Sequence, residues 1–223
     1  MGVLVKADGF DVMRKAMVDS QLRPSGVNDP RVIAAMAVVP REAFLPRERR
    51  LLAYNDRPLA LGDGREMNSP TVTGRLLTEL QLASDDRVLL IGAGGGYAAA
   101  LLSLLAAEVV ALEVDSRLAS LARDGLAAAG YDGPDIVEGL LAEGYSAGAP
   151  YDAILVDGAV ERVPDALVDQ LVDGGRLAAV LLENGVGRLI IGRKAGTGFG
   201  FTAFEDGDAP HLPGFATAKT FAF

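Results

Sequence analysis

A chain of 223 residues, half of them hydrophobic and 23% charged, can bury one sizeable core, which excludes a disordered or fibrous protein. Its net charge of -9 repels phosphate backbones, so no nucleic-acid partner is expected, and Arg47, Arg49 and Arg50 read as a solvated helix face. The lack of cysteine excludes disulfides, thiolate metal sites and cysteine nucleophiles; no metal site is expected, and the lack of a secretory signal pattern makes a cytoplasmic location the expectation.

In chain order, Phe10, Met13, Met17 and Val18 recur at helical spacing and predict an amphipathic helix over 8–22. Asp29-Pro30 is an N-cap followed by proline in the first turn, predicting a helix to Val38 that Pro40 stops. Pro46, Pro58, Gly62 and Gly64 mark an irregular connection, and Ser69-Pro70 repeats the cap signal for a helix to about Leu82. From Arg87 onward, β-rich apolar runs fall at 87–92, 109–114, 135–138, 151–157 and 176–182. Helical patterns at 97–107, 116–129 and 164–172 separate them. Such alternation predicts a doubly wound, mostly parallel sheet covered on both faces. Runs at 189–193 and 219–223 predict an edge hairpin with a glycine-rich connection between them. The uncharged stretch 88–107 has the length of a membrane span, but Gly92, Gly94, Gly95 and Gly96 break it into strand, turn and helix, so no membrane partner is expected.

Chemistry concentrates at that break. Leu89 to Tyr97 carries a strand into G-x-G-x-G and then a helix, where glycines permit a sharp turn and close backbone approach to a ligand. A dinucleotide fingerprint requires glycine at position 97, and Tyr97 stands there, which argues against NAD or FAD. The competing reading is a turn that only tightens strand-to-helix packing. Glu113 closes the next strand, where a carboxylate can accept both ribose hydroxyls of a nucleoside. Gly92, Gly94, Gly96, Tyr97 and Glu113 are therefore the candidate cofactor-binding residues. Asp157 ends the run at 151–157 and is a catalytic or substrate-orienting candidate, with a strand-end cap as the alternative. His211 sits in a Pro/Gly-rich segment and reads as structural or exposed.

Several collinear segments resemble the protein-L-isoaspartate O-methyltransferases. They include Gln21-Leu22-Arg23, Val39-Pro40-Arg41-Glu42, Ala53-Tyr54-Asn55-Asp56-Arg57-Pro58-Leu59, Pro150-Tyr151-Asp152-Ala153-Ile154 and Gly174-Gly175-Arg176-Leu177. The resemblance spans roughly residues 12 to 195. It implies a class I methyltransferase, Rossmann-like fold with a seven-stranded sheet and N-terminal helices, S-adenosylmethionine as cofactor, and isoaspartyl proteins or peptides as substrate. It also implies a division into an N-terminal helical region with a substrate-side loop over 1–68 and a methyltransferase domain over 69–223. An isoaspartyl carboxylate, with a reference pKa of about 3.9, is ionised at neutral pH, so no strong base is required. In the substrate loop, Asn68 and Ser69 are the catalytic candidates, with Ser69 also read as the helix cap.

Departures fall on the same motifs. The family's substrate loop reads G-x-T-I-S-x-P, whereas this chain has Gly64-Arg65-Glu66-Met67-Asn68-Ser69-Pro70. Glu66 opposes an anionic acceptor unless it points away or Arg65 compensates. Leu90 and Leu140 stand where the family carries acidic ligand-holding residues, with Glu138 and Glu143 nearby as substitutes. The sequence therefore leaves open an isoaspartyl methyltransferase, a methyltransferase for another acceptor, or a member that binds a nucleoside or protein partner without turnover. It sets no oligomeric state.

Overall fold

The computed structural model describes residues 7–217. Helix α1 (Ala7–Met17) runs into a π-helical turn at Val18–Leu22, burying Met17, Val18 and Leu22, as the spacing predicts. Helix α2 (Pro30–Val38) is capped by Asp29, whose carboxylate accepts from Arg31 N–H at 2.7 Å. Short 3-10 turns follow at Arg41–Phe44 and Arg47–Leu52, the second carrying Arg47 and Arg49 into solvent.

The next segment corrects the irregular connection expected from its prolines and glycines. Leu59–Gly62 (β1) and Arg65–Met67 (β2) form an antiparallel hairpin, with Gly62, Asp63 and Gly64 at positive φ turning the chain. Helix α3 (Pro70–Leu80) follows, capped by Ser69, and ends where Gln81 adopts the left-handed conformation.

Beyond it lie β3 (Arg87–Ile91), α4 (Tyr97–Leu102), β4 (Glu108–Glu113), α5 (Ser116–Ala129) and β5 (Asp135–Glu138). Next come β6 (Tyr151–Val160), α6 (Asp165–Asp169), β7 (Leu171–Glu183), β8 (Val186–Ala195) and β9 (Gly198–Asp206). One sheet has the order β5-β4-β3-β6-β7-β8-β9, parallel from β5 through β7 and antiparallel at β8 and β9. The strand order reverses between β3 and β6, so their carboxyl ends open a crevice, the place where doubly wound sheets take ligands.

The edge hairpin differs from expectation. Its outer strand is β9, within the stretch read as a glycine-rich connection; the run at 219–223 lies outside the described residues. The glycines serve the hairpin: the Phe199 ring covers Gly192 on β8, where a Cβ would lie 2.1 Å from the ring. An aromatic filling the space over a strand glycine restores packing that composition alone reads as loop.

Side chains alternate across β3, with Val88 and Leu90 entering one buried cluster and Leu89 and Ile91 the other. Met17, Leu22, Met36, Phe44 and Leu61 belong to the same cluster as Leu90, so the N-terminal region packs directly against one face of the sheet. No helix among the described residues is long and apolar enough to cross a membrane.

Candidate active site

The glycine turn sits at the carboxyl end of β3. Gly92 N–H and Ala93 N–H both donate to Leu112 O at 3.0 Å, hooking the turn onto β4. Gly92, Gly94 and Gly96 have φ values of +84°, +54° and +97°, a region costly for residues with a Cβ. Their neighbours differ. Gly92, Gly94 and Gly95 line a narrow cleft with Arg65, Glu66, Met67, Tyr97, Asp157 and Leu212. Gly96 instead opens α4 and packs on Ala122, whose Cα would lie 3.0 Å from an added Cβ. Gly95, which the sequence did not single out, faces Phe44 O at 2.2 Å from such a Cβ. Gly92, Gly94 and Gly95 thus border the cleft, while Gly95 and Gly96 are also held by close backbone packing.

Glu113 is fully buried at the carboxyl end of β4. Its Oε2 accepts from Gly94 N–H at 2.8 Å, which ties the strand-end carboxylate to the glycine turn. Oε1 accepts from Val114 N–H at 2.9 Å and Asp115 N–H at 3.2 Å. Arg65 completes the set with a two-pronged contact, Nη1 to Oε1 at 2.7 Å and Nη2 to Oε2 at 3.0 Å. Sequence reasoning missed this contact; Arg65 was considered only as a counter-charge to Glu66. Glu66 is exposed at the cleft margin, and Arg65 turns to Glu113 instead.

Asn68 and Asp157 meet, joined by Asn68 Nδ2 donating to Asp157 Oδ1 at 3.1 Å; Thr73 Oγ1 donates to the same oxygen at 3.1 Å. The strand does not end at Asp157. It continues to Val160 through a bulge between Leu155 and Ala159, which re-aims Asp157 toward the cleft. Burial pushes the Asp157 carboxyl up from its ordinary value, against the lowering effects of the Asn68 and Thr73 bonds and the nearby Arg41 charge. Ser69 is drawn away from this pair, its Oγ accepting from Val72 N–H at 3.3 Å as the helix cap.

Behind them lies Arg41, fully buried, which donates from Nε to Ala53 O at 2.8 Å and from Nη2 to Asn68 O. It thereby fixes the backbone that presents Asn68. Its guanidinium stacks over the Tyr97 ring at 4.7 Å, and burial pushes the Tyr97 hydroxyl up to about 12. Arg41 and Thr73 carried no spacing signal that marks such a role.

A larger cavity, about 570 Å³, is lined from Val114, the residue after Glu113, across the segments that follow β5 and β6. Exposed Val114 and Leu140 give it an apolar wall, and Glu143 and Arg162 also line it. Leu90 is buried in the core and touches neither opening. Of the two possible acidic substitutes, Glu143 reaches the cavity, whereas Glu138 pairs with Arg123 at 3.2 Å. His211 is exposed, its backbone bridging to Ala159 of β6. No cluster of metal-ligating side chains occurs among the described residues.

A family model for protein-L-isoaspartate(D-aspartate) O-methyltransferase matches residues 13–198. A protein-L-isoaspartate O-methyltransferase from Methanoculleus marisnigri is 45% identical over 175 residues, covering 78% of this chain and 80% of the relative. Among solved structures, one described as a protein-L-isoaspartate O-methyltransferase superposes with a TM-score of 0.79 at 24% identity, covering 90% of this chain and 66% of the other. Another, described as a protein-L-isoaspartate O-methyltransferase from Plasmodium falciparum in complex with S-adenosyl-L-homocysteine, gives 0.73 at 18% identity, covering 90% and 96%. These two likenesses bear on the fold. By the family match and the sequence identity over most of its length, this chain belongs to the protein-L-isoaspartate(D-aspartate) O-methyltransferase family.

Proposed function

We propose that this protein transfers a methyl group from S-adenosylmethionine to the side-chain carboxylate of isoaspartyl residues in damaged proteins. Beyond family membership, the observation that supports it is the junction of Glu113 with Gly94 beside an apolar cavity of about 570 Å³. That arrangement suits a nucleoside. Glu113 accepts the ribose hydroxyls, Gly92 and Gly94 allow close backbone approach, and Val114 and Leu140 face the nucleobase. The cofactor supplies, when bound, an electrophilic methyl on a sulfonium.

The chain's own residues hold, orient and desolvate the reactants. An isoaspartyl carboxylate is ionised at neutral pH, its reference pKa being about 3.9, so no protein group has to remove a proton. Positioning then carries most of the rate. Asn68 and Asp157 flank the acceptor's place at the cleft, and Arg41 fixes the backbone of Asn68. Calorimetric titration with S-adenosylmethionine tests the reading, using wild type and Glu113→Ala. We expect saturable binding by wild type and loss of it in the variant; no binding by wild type at millimolar ligand sinks the proposal.

A further inference from the structure

The carboxylate assigned above to the ribose is already spoken for. An ionised carboxylate offers about four lone-pair sites. Glu113 accepts from Arg65 Nη1 and Nη2 and from the backbone N–H groups of Gly94, Val114 and Asp115. The backbone donors are fixed by the two strand-end turns. Arg65 is the donor carried on a rotatable side chain, so it is the group that yields when ribose hydroxyls arrive. The backbone of its hairpin stays clasped to α5, with Arg117 Nη1 donating to Leu61 O at 3.1 Å and Arg117 paired with Asp63 at 3.0 Å.

Arg65 also lines the narrow cleft that holds Asp157 and Glu66. Among the described residues lining that cleft it is the one cation, facing these two carboxylates. Arg41 lies behind, its guanidinium engaged with the carbonyls of Ala53 and Asn68. A guanidinium only 11% exposed, once released from Glu113, needs a new anion, and its planar fork matches a carboxylate.

Resting on the cofactor placement proposed above, we infer that Arg65 is a positioning residue that exchanges partners. It leaves Glu113 as the ribose hydroxyls take that carboxylate, and then pairs with the carboxylate-bearing acceptor. Cofactor and acceptor binding are thereby coupled, and reciprocally so. The chain recognises its anionic acceptor through a cation that the nucleoside has set free, which offsets the acidic Glu66 and Asp157.

The test is calorimetric. S-adenosylhomocysteine is titrated into wild type, Arg65→Gln and Arg65→Lys, each with and without a saturating isoaspartyl peptide, with methyl-transfer kinetics run in parallel. The peptide should tighten nucleoside binding to wild type about tenfold. Arg65→Gln should bind the nucleoside alone more tightly than wild type, since the competing donor is gone, and should show no coupling. Its KM for the peptide should rise about tenfold with a smaller change in kcat, and Arg65→Lys should recover part of the coupling. Three backbone N–H groups still hold Glu113 in these variants, and melting curves establish that they fold. Equal affinity and equal coupling in wild type and Arg65→Gln overturn the exchange alone. Failure of the nucleoside to bind any of the three overturns the cofactor placement together with it.

Discussion

Asn68 Nδ2 and Asp157 Oδ1 lie 3.1 Å apart, joining the short connection between β2 and α3 to the bulge of β6. Asp157 lines the cleft and Asn68 lies buried behind it, so the bond holds Asp157 in place for the reaction. A hydrogen bond to a charged group is worth about 1.5–3 kcal/mol. Asn68→Ala is expected to lower kcat/KM for an isoaspartyl peptide by about ten- to hundredfold while nucleoside affinity stays within about twofold. Steady-state kinetics beside a binding titration check the split.

Asp157 gives a pH prediction. Burial raises its folded pKa above the unfolded value, so the native state binds the proton more readily. The stability this contributes is present below the unfolded value and is lost as pH rises through the raised one. Asp157→Asn keeps an oxygen to accept from Asn68 and Thr73 and removes the ionisation. The variant should melt higher than wild type at pH 8, with the advantage shrinking toward pH 4. A gain that is constant across that range contradicts the account.

Gly94 and Gly95 both border the cleft but differ in what surrounds them. Gly95→Ala drives a Cβ into the Phe44 carbonyl at 2.2 Å, a backbone contact with no flexible side chain to yield. It should cost about 1–3 kcal/mol or more and lower the melting temperature by several degrees. Gly94→Ala meets the Leu61 side chain at 3.3 Å and the Gly92 carbonyl oxygen at an ordinary 4.0 Å, with the left-handed conformation adding about 1–2 kcal/mol. That variant should fold and lose nucleoside affinity. Thermal melts and titrations on the pair distinguish packing from ligand approach.

Leu140 is 58% exposed at the wall of the large cavity, so replacing it should not unsettle the fold. Leu140→Ser removes apolar surface from the proposed nucleobase contact. Nucleoside binding should weaken by about 1 kcal/mol, roughly fivefold, with an unchanged melting temperature. Equal affinity would place the nucleobase elsewhere.

The parallel sheet was legible because its signals are local: apolar runs of strand length, helical periodicity between them, and caps at Asp29 and Ser69. That Glu113 ends the strand beside the glycine turn was legible from the βαβ order, whereas its bond to Gly94 N–H was not. What stayed hidden depends on tertiary contact. The β1–β2 hairpin reads as loop because its glycines and Pro58 mask two short strands, and β9 reads as loop because Phe199 compensates Gly192 only across the pairing. Arg65 is separated from Glu113 by 48 positions, and no periodicity in the chain links them. Leu90 illustrates the converse: it stands at a position where the family carries acid, yet its burial against the helices makes it a core residue.

The most direct test of the central claim is methyl transfer to two synthetic peptides that differ only in the linkage at one residue, isoaspartyl in one and aspartyl in the other. Wild-type protein with labelled S-adenosylmethionine at neutral pH is predicted to form a base-labile methyl ester on the isoaspartyl peptide and not on its twin. Transfer to neither peptide under conditions where S-adenosylmethionine binds, or equal transfer to both, would contradict it.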